Sequence, residues 1–74
     1  MNVVANQRSQ QKFGRNMRDV REKKKLSQEE AAQLAGISVT YYAGIERGEE
    51  NPTFAVIESI CKALKVKSSQ VLPF

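Results

Sequence analysis

Histidine and tryptophan are absent from this 74-residue chain, cysteine occurs once and proline twice. Each shortage removes a class of answer. Cys61 alone cannot close an internal disulfide, and without histidine the usual zinc-ligand spacings cannot be assembled. No nucleophile stands at a suggestive spacing from a base, and there is no glycine-rich phosphate loop. A domain this short has no room for a substrate cleft beside its core. An enzyme, a metal site, a cofactor and a small-molecule ligand are therefore not expected. No apolar run approaches the ~18 residues that a membrane span needs. The lone cysteine and the lack of a signal peptide fit a reducing cytoplasm. Aromatic residues make up 7% of the chain and strand signals are weak.

Positive charge is present, but unevenly. The net charge is +4. Residues 1–25 hold eight of the twelve Lys and Arg against two acids, Asp19 and Glu22. Residues 26–50 hold one basic residue, Arg47, against five acids. Attraction for a phosphate backbone would have to come from the first helix, from helix N-termini and from Arg47.

The local signals predict an all-α domain of five helices with short connectors. Residues 1–8 read as a mobile polar arm, and residues 9–74 as one domain. Phe13, Met17 and Val20 recur at helical spacing, so a first helix is expected over Gln10–Lys24 with Ser9 as its N-cap. Ser27 and Glu30 have the spacing of a capping box, which starts a second helix, Gln28–Ala35. Gly36 stops it, Ser38 caps a third helix over Val39–Arg47, and Gly48 ends that one. Thr53 caps a fourth helix whose apolar face is Phe54, Ile57, Ile60, Cys61 and Leu64. Ser68 or Ser69 would cap a short last helix carrying Val71 and Leu72.

Gln28–Arg47 also meets the steric demands of a helix-turn-helix. The second helix needs a small residue where the backbones approach, and Ala32 supplies it. The turn needs a positive φ, and Gly36 supplies it. Ile37 and Ile45 face the core on either side of the turn.

Several runs together carry a resemblance. They are Met17-Arg18, Val20-Arg21, Leu26-Ser27-Gln28-Glu29-Glu30-Ala31-Ala32, Ala35-Gly36-Ile37-Ser38, Ile45-Glu46-Arg47-Gly48, Asn51-Pro52 and Ile60–Leu64. Over Phe13–Leu72 the chain resembles the Cro/repressor (Xre-like) helix-turn-helix family. The resemblance implies a lambda-repressor-like fold and a sequence-specific DNA-binding transcriptional regulator, bacterial or phage. Such a protein would be a homodimer on a pseudo-palindromic operator in double-stranded DNA, blocking or recruiting RNA polymerase. Repressors, restriction–modification controller proteins and antitoxin-type autoregulators all share this size and pattern.

Site roles follow from the resemblance, position by position. Gln28 would bond a phosphate and reach a base edge. Ser38 would cap the reading helix at the DNA. Val39, Thr40 and Gly44 occupy base-reading positions, Tyr41 a phosphate position, and Arg47 lies beside the backbone. Arg21 and Glu46 match a partly buried ion pair. The C-terminal end, with Val66, Val71, Leu72 and Phe74, holds more apolar residues than a short helix needs, and is the expected dimer surface.

Departures from the family pattern shape the expectations. Ala31 and Tyr42 stand where leucine and a branched aliphatic are usual. The Tyr42 ring is expected to fill the vacated volume, with its hydroxyl reaching solvent or phosphate, and Tyr41 to face the DNA. Val39 and Gly44 offer no hydrogen bonds, so recognition should lean on few direct contacts and partly on DNA shape. Glu49 and Glu50 make the loop after the reading helix acidic. These last features favour the rival reading, a helix-turn-helix fold used as a protein-binding bridging or inhibitory module. A subunit of a larger assembly is a second rival.

Overall fold

A computed structural model describes residues 7–74 as four α-helices and one turn of 3-10 helix: α1 (Gln7–Lys23), α2 (Gln28–Ala35), α3 (Val39–Glu46), α4 (Phe54–Leu64) and the turn Ser68–Gln70. No strand occurs among the described residues. The expected fifth helix is therefore a single 3-10 turn. It is closed by the Lys67 amide, which donates to Gln70 Oε1 at 3.1 Å, rather than by a serine cap. The arm expected over residues 1–8 falls mostly outside the described residues, but Gln7 and Arg8 are already helical. Ser9 thus lies inside α1 and does not cap it.

The starts of the other α-helices follow from local chemistry. At α2 the Glu30 amide donates to Ser27 Oγ at 3.0 Å, and the Ser27 amide donates back to Glu30 Oε1 at 2.8 Å. Two otherwise orphaned donors are satisfied, and Glu30 is held ionised by these bonds. At α3 the Tyr41 amide donates to Ser38 Oγ at 3.1 Å, and at α4 the Val56 amide donates to Thr53 Oγ1 at 3.3 Å.

All four α-helices stop in the same way. In each, the residue after the last turn is left-handed, and two amides fold back onto carbonyls of that turn. Gly36 (φ 74°) and Gly48 (φ 77°) do this without steric cost, while Lys25 (φ 58°) and Lys65 (φ 57°) do it with a side chain. The accompanying backbone bonds run Ile37 to Ala32, Glu49 to Gly44, Leu26 to Arg21 and Val66 to Cys61, at 2.9–3.2 Å.

Phe13, Met17, Ala31, Ala32, Tyr42, Ile45, Ile57, Ile60, Cys61, Leu64 and Val71 form one core. α1 packs on α3, and α2 packs on both α3 and α4. Gly14 sets the spacing of α1 and α3. A β-carbon there would overlap the Glu46 carbonyl oxygen and stand 2.5 Å from that of Ile45. Asn16 Nδ2 donates to the Val71 carbonyl at 3.1 Å, which ties the chain's end to α1.

Three expectations change here. Val71 is fully buried, a core residue rather than part of a dimer surface. Phe54 falls on the helical period of α4 but lies in its first turn, beyond the edge of the core, and is 70% exposed. The Tyr42 ring is buried in the same core as Ala31, but its hydroxyl is buried too and does not reach solvent.

Candidate nucleic-acid interface

The helix-turn-helix presents one side of α3 and the start of α2 to solvent. Ser38, Val39 and Thr40 are exposed at the beginning of α3, and Tyr41 is half-buried. Arg47, just past the last turn, is exposed. The two tyrosines split as adjacent residues on a helix must, about 100° apart: Tyr42 inside, Tyr41 at the surface. Burial raises the Tyr41 phenol above its ordinary value, and the charge of Glu50 raises it further, so its hydroxyl stays a donor at neutral pH.

Beneath this surface lies a polar cluster. Arg21 of α1 meets Glu46 of α3 through two bonds, Nε to Oε2 at 2.7 Å and Nη2 to Oε1 at 3.1 Å. The Arg21 Nη1 donates to the Leu26 carbonyl at 2.8 Å. The side chains retain 10% and 2% exposure, so the pair is nearly dry. Burial alone would raise the Glu46 carboxyl. The hydrogen bonds from Arg21 and Gln28 outweigh it, and the net shift is downward. Burial and the same bond oppose each other at Arg21, and the bond to Glu46 wins, raising its guanidinium. Desolvation pushes the Tyr42 phenol up, with the Glu46 charge next.

Gln28 belongs to this cluster. Its Nε2 donates to Glu46 Oε1 at 2.9 Å. One amide proton is thereby committed and the side chain fixed, leaving the second proton of Nε2 for a partner outside. The sequence placed Gln28 at the surface of α2 but carried no sign that Glu46 would hold it, because the two are 18 positions apart.

The outer surface is less provided. Arg47 Nε is paired with Glu49 Oε1 at 3.0 Å, so the sole basic residue of the 26–50 segment already has a counter-charge. Gly44, at one of the positions assigned to base reading, is covered: a β-carbon there would stand 2.8 Å from the Glu50 Cγ. The cause lies in the chain reversal at Gly48, which brings the Glu49 amide onto the Gly44 carbonyl at 2.9 Å and swings position 50 back over α3. A glycine on a helix face, followed by a left-handed stop and an acidic pair, is the only sequence signal for this contact.

Away from α3, an open groove of about 720 Å³ runs along α4 and the C-terminal turn, lined by the apolar Phe54, Ile57, Cys61, Val66 and Leu72 and by the charged Glu58, Lys62, Lys65 and Lys67. Val66 and Leu72 are half-buried there, and Phe74 is 78% exposed. Cys61 is a free thiol, raised by burial. Among the described residues no cluster of His, Cys, Asp and Glu could hold a metal ion, and no helix is long and apolar enough to cross a membrane.

The profile of the family described as Helix-turn-helix matches residues 17–71. The control protein C.SmaI of Serratia marcescens is 35% identical over 57 residues, covering 77% of this chain and 68% of that protein. The immunity repressor protein of Bacillus phage phi105 is 32% identical over 59 residues, 80% of this chain. The chain spans 41% of that repressor's length. Among solved structures, the restriction-modification controller protein C.AhdI from Aeromonas hydrophila superimposes with a TM-score of 0.83 at 35% identity, covering 85% of this chain and 96% of that one.

Proposed function

The chain belongs to the helix-turn-helix family and is a DNA-binding transcriptional regulator, not an enzyme; from that premise we propose that it acts as a homodimer on a pseudo-palindromic operator, in the manner of a controller or repressor protein with a lambda-repressor-like fold. The observation that carries the reading is the capped, exposed start of α3 beside a Gln28 held in place by Glu46. In this account α3 enters the major groove. Thr40 and Gln28 make polar base contacts, and Val39 packs on a thymine methyl. Ser38, Tyr41 and Arg47 lie along the phosphates, with Gln28 spanning both kinds of contact.

A single unit this small touches too few bases for physiological specificity, which argues for two copies about 34 Å apart, one turn of DNA. In this account the dimer surface is the groove beside α4, lined by Phe54, Val66 and Leu72, together with the exposed Phe74 and without the buried Val71. Acting on bacterial or phage DNA places the protein in the cytoplasm, where it would block or recruit RNA polymerase according to operator position. The rival, a protein-binding module, draws support from the Arg47–Glu49 pair and from the carboxylate of Glu50 on the same face.

Selection of binding sites from random DNA tests the reading. Enrichment of an inverted repeat with half-sites ~10 base pairs apart is expected. Binding without sequence preference would favour the bridging module. Sedimentation without DNA tests the dimer, and a monomer at high micromolar concentration would refute it.

A further inference from the structure

The Gly44 site poses a question that the helix-turn-helix alone does not answer. Gly44 lies one turn beyond Thr40, on the same side of α3. It has no side chain, yet its surface is closed, because Glu50 fills the space. A β-carbon at Gly44 would lie 2.8 Å from Glu50 Cγ, 3.6 Å from Cδ and 3.5 Å from Oε2. The Glu50 side chain thus stands where a side chain from position 44 would stand.

The loop that brings it there is held at both ends. A β-carbon at Gly48 would lie 2.7 Å from Gln11 Cγ and 2.8 Å from Gln11 Cα, so this turn is clamped against α1. Pro52, two residues past Glu50, is fully buried. The two acidic neighbours then differ. Glu49 is neutralised by Arg47. Glu50 is exposed and makes no hydrogen bond or ion pair among the described residues. An unpaired carboxylate beside phosphates is repelled by them, so it favours binding only where it meets a donor.

We infer that Glu50 is a base-reading residue: its carboxylate replaces the side chain missing at Gly44 and accepts a hydrogen bond from the N4 amine of a cytosine in the major groove. This rests on the operator reading proposed above. The base follows from the donor pattern of the groove. Guanine presents two acceptors there and thymine one acceptor and a methyl group, while adenine sets its N7 acceptor beside its amine. Cytosine presents a donor alone. The specificity of the protein is thus partly carried outside its reading helix, by a residue whose charge would otherwise oppose binding.

The test is fluorescence anisotropy of the full chain on its selected operator, with each base pair of the half-site substituted in turn. Wild-type protein should prefer cytosine at one position per half-site by about ten-fold. Glu50→Ala should abolish that preference while leaving discrimination at the other positions intact. Glu50→Gln should shift it toward adenine, which an amide pairs with through N6 and N7. If both variants instead bind operator and scrambled DNA equally more tightly, with every positional preference unchanged, Glu50 merely repels phosphate and the inference is overturned. A wild-type protein without any positional preference would overturn the operator reading itself. Both substitutions are at an exposed side chain, and unchanged thermal melting confirms that the fold is not the variable.

Discussion

The two sides of α3 are built to different standards. Toward the core, Ile45 is fully buried, Glu46 is held by Arg21 and Gln28, and the carbonyls of both lie against Gly14. Toward solvent, eight residues of helix offer Val39, Thr40 and Tyr41, the glycine beyond them is closed over by Glu50, and the one arginine past the last turn is already paired. Position is thus over-determined on the inside and chemistry is sparse on the outside. A reader with few contacts depends more heavily on where those contacts are held, since a small displacement removes a large share of them.

The contrast can be broken from the inside first. Glu46→Ala leaves the Arg21 guanidinium nearly buried without its partner and releases Gln28. A loss of about 3–5 kcal/mol is expected in urea denaturation. The same carboxylate predicts a pH dependence. Its folded pKa lies below the ordinary glutamate value of 4.5. Its stabilisation is therefore complete above that value and is lost as pH falls through the lower, folded one. Urea midpoints measured from pH 7 to pH 3 should fall less steeply for Glu46→Ala than for the native chain.

Gly14→Ala comes next. The added methyl meets backbone carbonyls, which cannot rotate away, so α1 must shift from α3 at a cost of about 1–3 kcal/mol. Thermal melting gives the cost. Loss of specific DNA binding in the surviving folded protein would show that the spacing of α1 and α3 aims the outer face.

Lys65→Gly and Lys25→Gly act on neither side of α3 and should stabilise by about 0.5–1 kcal/mol each, because glycine adopts the left-handed stop without strain. The smallest effect is expected outside. Glu49→Gln removes the counter-charge of an exposed Arg47, and should tighten DNA binding by about two- to five-fold at low salt, less at high salt. Unchanged binding across a salt titration would mean that Arg47 does not approach the phosphates.

The same division explains what the sequence discloses. Ser27, Gly36, Ser38, Gly48 and Thr53 announce the helix ends because caps and stops are decided within four or five residues. Arg21 with Glu46, and the split of Tyr41 from Tyr42, also follow from pattern. Phe54 has the right period but the wrong place along α4, since periodicity reports direction and not how far the core extends. Val71 could have been core or surface by composition; it is core because the chain's end folds back on the helices, where Asn16, 55 positions away, also bonds its carbonyl. Glu50 over Gly44 escapes because a glycine on a helix face advertises emptiness, and what fills it arrives from the next loop.

The lysine stops have a consequence beyond their strain. Lys23 and Lys24 at the end of α1, and Lys65 and Val66 at the end of α4, line a single shallow pocket of about 330 Å³ with Val20 and Gln70. The ends of two helices that stop on a left-handed lysine thus meet at one corner with several like charges, which favours local opening there. Amide protons there should exchange fastest among the helical ones, and a protease should find its first cut there. Lys65, Val66 and Gln70 also line the groove beside α4. A partner seated in that groove would also touch Lys65, Val66 and Gln70, and should slow both the exchange and the cutting at this corner.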